Sequence, residues 1–356
     1  VKDAADSIPG WKGYDNSLTA GEFAGGWGRT VIALAPSNQN ILYVMVENAD
    51  DAAAGKPEAD LFKCNMATTP FTWTKSDTLV AQRKTSSATT SRYIELQGGY
   101  NMLLGVHPNN SDLVLAGGVN LFRSLDGFAT KDNSSFIGGV ASTTYTDADG
   151  ASHADNHSFA FDPTNPNKVL IASDGGIGQI KDITTPGVEW SLGSSQYQTL
   201  QYYHVGIDPT TGSRNYYGGA QDNSTTFRDK SGILGPAISD SNDHYIVLGG
   251  DGCQVGMTKK NTAGNQFLFC AAQSGQMYRM KLFDFSTGLY TLIRPTGSAD
   301  GEFITYFHLD PDNTDFLYYV SKNSIYRTGD AEKVTTSSWT LMDGVNTSVT
   351  GSIFAL

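Results

Sequence analysis

Apolar residues in this chain come in short runs broken by polar turns, and one arrangement of them recurs. An apolar run, a Pro-containing turn rich in Asn and Asp, and a second apolar run make up VIALAPSNQNILYV from Val31, LLGVHPNNSDLVLA from Leu103 and FAFDPTNPNKVLIA from Phe159. HVGIDPTTGSRNYYG from His204 and FHLDPDNTDFLYYV from Phe307 repeat it. The prolines are Pro36, Pro108, Pro163, Pro209 and Pro311, with gaps of 72, 55, 46 and 102. The last gap is twice 51, and midway sits a degenerate copy without proline, VGMTKKNTAGNQFLFC from Val255. Short strands repeating at about 40–50 residues are the signature of a β-propeller, one blade per copy.

Each phrase reads as strand a, its turn and strand b of a four-stranded antiparallel blade. Strand c follows as LFKCN at Leu61, NLFRS at Asn120, GQIKD at Gly178, TTFRD at Thr225, QMYRM at Gln276 and SIYRT at Ser324. Their apolar–polar alternation suits half-buried strands. Strand d carries Trp73, Trp190 and Trp339, rings expected to fill the wedge between blades. The blades are predicted at 27–80, 98–140, 153–195, 200–240, 243–295 and 301–345. The closing SIFAL resembles the start of another strand a, and the first 25 residues could supply the outer strands of that blade. Residues 1–356 are therefore expected to form one all-β domain, a single propeller of seven blades, with six or eight still open. The stop in mid-repeat suggests an excerpt of a longer secreted polypeptide with further domains.

Composition narrows the partners. With 24 Lys and Arg against 36 Asp and Glu, the net charge is −12, which argues against nucleic acid, whose phosphates demand a basic face. No apolar run approaches the roughly 20 residues that cross a bilayer, so no transmembrane segment is expected. Cys253 and Cys270 flank the turn KNTAGN. In a hairpin they would stand almost opposite each other, either bonded or as two packed thiols, while Cys64 reads as a buried thiol.

After strand c, Ser124-Leu-Asp126-Gly127 and Thr328-Gly-Asp330 resemble the Asp-box, a turn motif of sialidases, sortilin-like receptors and xyloglucanase-like glycoside hydrolases. The resemblance implies that each Asp caps a turn between strands c and d rather than acting in catalysis. A likeness over nearly the whole chain rests on GGYNMLLGVHPNN, HADNHSFAFDPTNPN, SDGGIGQ, YYGGAQDNST and GGDGCQVGM. These look like the BNR/sortilin-like, glycosyl-hydrolase-like propellers of secreted Bacteroidota proteins, many of which end in a type IX secretion sorting domain. That resemblance implies the fold and export from a Gram-negative cell, and it implies little about chemistry.

Topology sorts these phrases onto two faces. Loops entering strand a and the turns between strands b and c share one face, and the proline turns lie on the other. The first face receives Trp27, Arg29, Tyr100, Asn101, His153, Asp155, His157, Asp174, Gln221, Asp222, Asn223 and Asp251. Polar side chains from several blades converging at one mouth are the usual makings of a propeller site. Trp27, Arg29, Tyr100, Asn101, His153, His157, Gln221 and Asn223 are the candidate ligand-binding residues, and Tyr203 is a further stacking surface.

A glycosidase needs two carboxyl groups about 5 Å apart for retention, or about 6.5–9.5 Å for inversion. Asp155, Asp174, Asp222 and Asp251 are the candidates, although each sits beside Gly or Asn, a context equally suited to capping turns. No sialidase-type arrangement of arginines with a Tyr/Glu nucleophile is visible, and the enzyme reading is the weaker one. His153, Asp155 and His157 are a chemically plausible metal set. In an extended strand the two histidines would lie about 13 Å apart, too far for one ion to bridge. The alternative is that they satisfy backbone groups where strand a begins. Asp147, Asp149 and Gly150 match part of a calcium loop, without the closing acidic ligand or flanking helices. No cofactor is expected, and a bound divalent metal is the one exception left open. The sequence thus points to a secreted or cell-surface module that binds polysaccharide or a surface protein. A glycoside hydrolase and a structural spacer are the alternatives.

Overall fold

The apolar–turn–apolar phrases fold into antiparallel strand pairs, and two further strands complete each sheet. The computed structural model describes residues 27–48, 59–69, 71–76, 94–139, 152–192, 200–229, 244–282, 290–342 and 351–353. The chain is all-β, of the β-propeller class, and the described strands make six four-stranded antiparallel sheets. It divides into two units, residues 1–198 and 199–356.

In the first unit, blade 1 holds β1 (Trp27–Leu34), β2 (Ile41–Asn48), β3 (Ala59–Asn65) and β4 (Thr72–Ser76). Blade 2 holds β5 (Leu103–His107), β6 (Asn110–Gly117), β7 (Leu121–Ser124) and β8 (Ser134–Gly138). Blade 3 holds β9 (Asn156–Phe161), β10 (Val169–Ser173), β11 (Gly176–Ile180) and β12 (Trp190–Leu192). In the second unit, blade 4 holds β13 (Tyr202–Ile207), β14 (Tyr216–Ala220), β15 (Thr225–Arg228) and β16 (Tyr245–Leu248). Blade 5 holds β17 (Val255–Met257), β18 (Phe267–Ala272), β19 (Gln276–Lys281) and β20 (Thr291–Leu292). Blade 6 holds β21 (Phe307–Leu309), β22 (Leu317–Ser321), β23 (Ser324–Thr328) and β24 (Thr340–Leu341).

The middle blade of each unit is buried on both faces, which explains its unbroken apolar runs. In β6, Val114 and Ala116 pack into the cluster shared with blade 1, while Leu113 and Leu115 join the cluster shared with blade 3. In β18, Leu268 and Cys270 face blade 4, while Phe267 and Phe269 face blade 6. Each of these Val, Leu and Phe side chains contributes about 1.5–3 kcal/mol by leaving water. Strand a of blade 2 has glycine at Gly105, where a Cβ would lie 2.3 Å from the Phe159 ring of blade 3.

Two polar devices fasten neighbouring blades. The Trp190 Nε1–H donates to the Ile137 carbonyl of blade 2 at 2.7 Å, and the Trp339 Nε1–H to the Ile293 carbonyl ahead of it, also at 2.7 Å. Trp73 Nε1 is buried without an acceptor among the described residues. The second device is the strand-c cation. Arg123 Nη1 donates to the Ile183 and Thr185 carbonyls of blade 3 at 2.6 and 2.5 Å. Arg279 Nη1 reaches the Glu332 carbonyl of blade 6 at 2.5 Å, and Lys63 Nζ reaches Asp112 of blade 2 at 2.6 Å.

Three expectations change. Tyr245–Leu248 pairs with β15 and closes blade 4, so blade 5 does not begin at 243. Cys270 lies opposite Val255 rather than Cys253, and the two thiols belong to different core clusters on opposite faces of the sheet. They are packed thiols, both free, and burial raises Cys253 to about 11. Asp126 caps the β7–β8 turn, accepting the N–H groups of Ala129 and Thr130 at 3.1 and 3.0 Å. Asp330, by contrast, makes no side-chain cap and pairs with Lys333 at 3.1 Å. The first 26 residues and 354–356, on which the seventh blade depends, lie outside the described residues, as do Asp147, Asp149 and Gly150. Ile353 is described, and its N–H donates to the Lys322 carbonyl at 2.8 Å, beside the β22–β23 turn.

Candidate functional site

In the first unit the loop entering β9 is pinned to the β6–β7 turn of blade 2. The Asn156 side chain is buried and donates to the Gly118 and Val119 carbonyls at 3.1 and 3.2 Å. The Asp155 N–H reaches the Val119 carbonyl at 3.1 Å. Asp155 takes φ 63°, a left-handed conformation that Asp and Asn accept more readily than other non-glycine residues. The run from His153 to His157 is therefore not one extended strand.

This bend sets up two side-chain pairs. Asn101 Nδ2 donates to Asp155 Oδ1 at 2.7 Å and to Gln97 Oε1 at 3.1 Å. Asn101 is fully buried, and its Oδ1 has no hydrogen-bond partner among the described residues. His157 Nε2 meets Asp174 Oδ1 at 2.6 Å, an ion pair when the imidazole is protonated. Asp174 stands in the β10–β11 turn, and its N–H donates to the Asp155 carbonyl at 3.2 Å. Asp155 and Asp174 present carboxylate oxygens within 4.8 Å of each other. Burial, and then the Asp174 carboxylate, push the Asp155 carboxyl upward, with the Asn101 hydrogen bond opposing them.

Tyr100 overlooks this pair. Its ring meets His157 edge-on at 5.0 Å and remains 55% exposed. The backbone beneath it is fixed by Arg29, whose Nη1 donates to the Gly99 and Tyr100 carbonyls at 3.1 and 2.9 Å. Glu47 Oε2 accepts the Arg29 N–H at 3.1 Å. Gly99 has φ 78°, and a Cβ there would lie 2.5 Å from Glu47 Oε2, so this turn requires glycine. His153 Nδ1 lies 3.0 Å from the Ala154 carbonyl, and its ring packs on Gly175.

The second unit treats its candidates differently. Asp251 Oδ1 accepts the Asp222 N–H at 2.9 Å, and the Asp251 N–H goes to Gln273 Oε1 at 3.0 Å. Asn223 Nδ2 donates to the Gln221 carbonyl at 2.8 Å. Asp222 has φ 56° and Ser224 φ 74°, so this acidic segment is a strained turn in which the Asp251 carboxylate serves backbone.

The first unit thus gathers Arg29, Tyr100, Asn101, His153, Asp155, His157 and Asp174, and the second gathers Gln221, Asp222, Asn223 and Asp251. Trp27 opens β1, and its side chain lies outside the description. Sequence reasoning missed Glu47, Gln97 and Gln273, which orient Arg29, Asn101 and Asp251. Gln97 was within reach, since it directly precedes the glycine pair ahead of Tyr100. Chemically, the cluster around Asp155 and Asp174 can accept hydroxyl hydrogen bonds and stack a ring, and the two carboxylates are hard oxygen donors close enough to share a cation.

No helix among the described residues is long and apolar enough to cross a membrane. No protein-family model matches the chain, and no curated protein matches it. Among solved structures it is similar to a GH74 enzyme of Niastella koreensis, with 16% identity, TM-score 0.46, and coverage of 89% of this chain and 42% of that one. It is likewise similar to an ancestral GH74 enzyme, with 14% identity, TM-score 0.43 and coverage of 87% and 44%. The extracellular domain of a putative hybrid two-component system from B. thetaiotaomicron gives 14% identity, TM-score 0.30 and coverage of 91% and 36%. The chain spans less than half the length of these proteins, and likenesses this distant place no activity on it.

Proposed function

We propose that this protein is a secreted or cell-surface propeller module that binds glycan, without turning it over, through the face around Tyr100. The observation that carries the reading is Tyr100 itself, an exposed ring on a backbone clamped by Arg29, beside the Asn101–Asp155 and His157–Asp174 pairs. A rigid aromatic surface supplies contact area at low entropic cost, and placed acceptors beside it orient hydroxyl groups. The sequence likeness to BNR/sortilin-like propellers of secreted Bacteroidota proteins supports export.

A second reading has its own observation. Asp155 and Asp174 lie within 4.8 Å, close to the roughly 5–5.5 Å of retaining glycosidases, and the upward push on Asp155 suits a general acid. Against it, both carboxylates already accept internal hydrogen bonds, and the Asp174 side chain is only 17% exposed, which obstructs nucleophilic attack. Affinity electrophoresis against a panel of polysaccharides separates the readings. Retardation lost in Tyr100→Ala, with no reducing ends released, supports binding. Release abolished by both Asp155→Asn and Asp174→Asn establishes the hydrolase. No retardation and no release leaves the spacer.

A further inference from the structure

In the first unit, one buried acceptor is left over beside the acidic pair. Asn101 stands in the loop entering β5 and is fully buried. Both of its amide hydrogens are taken, because Nδ2 donates to Asp155 Oδ1 at 2.7 Å and to Gln97 Oε1 at 3.1 Å. Its Oδ1 has no hydrogen-bond partner among the described residues. Turning the amide over does not help, since the oxygen would then press against the Asp155 carboxylate. A buried oxygen in this position calls for an ion or a water beside it.

The distances suit an ion. The N and O atoms of an amide are about 2.3 Å apart, so Asn101 Oδ1 lies within about 5 Å of Asp155 Oδ1. The Asp155 and Asp174 carboxylate oxygens approach within 4.8 Å of each other. Oxygens on opposite sides of one calcium ion stand up to about 5 Å apart, because each bond is about 2.3–2.6 Å. Charge points the same way. The groups that offset Asp155 are the imidazoles of His153 and His157, and no Lys or Arg pairs with it among the described residues.

Donor chemistry chooses the ion. Two carboxylates and an amide oxygen are hard donors of the kind calcium and magnesium take, whereas zinc favours imidazole and thiolate. The three side chains come from the β5 entry loop, the β9 entry loop and the β10–β11 turn. Ligands from separate loops give irregular angles, which calcium accepts and magnesium, bound to a near-ideal octahedron, does not. His157 Nε2 is already engaged with Asp174 Oδ1 at 2.6 Å. We propose that Asp155, Asp174 and Asn101 Oδ1 hold a calcium ion that ties the entry loop of blade 2 to blade 3 next to Tyr100. The site does not depend on the glycan reading, because the metal alone tests it.

The test is isothermal titration of calcium chloride, magnesium chloride and zinc chloride into the full chain stripped with EDTA. Calcium binds with a dissociation constant of about 0.1–1 mM, the range of extracellular calcium modules. Asp155→Asn and Asp174→Asn each weaken it by about tenfold or more. Asn101→Ala weakens it by less, since the lost oxygen is neutral, and Asp126→Asn in the β7–β8 turn leaves it unchanged. Melting curves give a second readout that needs no variant to bind. Calcium at tenfold its dissociation constant raises the wild-type melting temperature by about 2 °C or more. In EDTA, Asp155→Asn melts no lower than wild type, because a like-charge contact is relieved; calcium reverses that order.

No saturable heat and no calcium-dependent rise in the wild-type melting temperature overturns the proposal. Calcium affinity kept in both Asp155→Asn and Asp174→Asn overturns it as well, because the ion then sits elsewhere. Affinity unchanged in Asn101→Ala removes the third ligand and with it the argument from the buried oxygen. Zinc binding more tightly than calcium, and lost in His157→Gln, overturns the all-oxygen assignment. Retention of glycan by the EDTA-treated protein, with calcium failing to bind, overturns this site and spares the reading of the Tyr100 face.

Discussion

In sequence, the aspartates Asp155 and Asp174 of the first unit resemble Asp222 and Asp251 of the second, each flanked by small or amide neighbours. The structure uses Asp251 and the Asp155–Asp174 pair in opposite ways. Asp251 spends a carboxylate oxygen on the Asp222 backbone N–H, so Asp251 holds a turn together. Asp155 and Asp174 point carboxylates at each other within 4.8 Å and draw their hydrogen bonds from Asn101 and His157 side chains. An anion satisfied by backbone is structural. An anion crowded by a second anion costs energy, and proteins keep such arrangements mainly at functional sites.

Four sets of substitutions sharpen that contrast, from the largest effect downward. Asp251→Ala strips the acceptor from the Asp222 N–H in a nearly buried turn and costs about 1–3 kcal/mol. Amide hydrogen exchange should register the loss in the second unit, with glycan binding at Tyr100 unchanged. Trp190→Phe deletes a buried N–H to carbonyl bond and Trp339→Phe a half-buried one, and each should cost about 1 kcal/mol in urea denaturation. Unequal losses would mean that the two blade wedges differ in more than this bond.

Asp126→Asn weakens the β7–β8 cap by about 1 kcal/mol, and Asp330→Asn, with no cap to lose, leaves the melting temperature unchanged. The Asp126 carboxyl is held low by hydrogen bonds from Thr130, Asn133 and Ser124, which outweigh the opposing burial. Its stabilisation is present above the unfolded pKa and is lost as pH falls through the folded one. Melting curves taken at descending pH should therefore bring wild type and Asp126→Asn together in acid.

Asp155→Asn is the smallest effect and has the opposite sign. The folded pKa of Asp155 is raised, so its favourable contribution is present below the unfolded pKa and is lost as pH rises through the folded one. Asn keeps the left-handed φ and the Asn101 contact without the charge. The variant should melt about 2 °C higher or less at neutral pH, and the gain should vanish in acid. A lower melting point at neutral pH would show that the Asp155 charge is compensated.

Much of the fold was legible because turn chemistry and period survive in the residues. Six strand-a phrases, six strand-c runs and the strand-d tryptophans all fall where the repeat puts them. The boundary between blades 4 and 5 was not, since an apolar run such as Tyr245–Leu248 reads equally as a last or a first strand. The Cys253–Cys270 register failed for a related reason, because β17 starts at Val255 and leaves Cys253 in the entry loop. The strand-c cations Lys63, Arg123 and Arg279 were visible as alternation, yet their reach into the next blade is a tertiary fact. For the site, sequence supplied Tyr100, Asn101, Asp155, His157 and Asp174. It could not tell which aspartate serves backbone and which faces another carboxylate, because that depends on φ at Asp155 and Asp222.

The central claim is that the Tyr100 face binds glycan without cleaving it. Isothermal titration of the most strongly retained neutral polysaccharide into wild type and Tyr100→Ala tests it most directly, because binding gives heat that saturates and turnover gives heat that persists. The account predicts saturable heat for wild type and affinity lower by about tenfold or more for the variant. Equal affinity in the two proteins, or persistent heat abolished by Asp174→Asn, would contradict it.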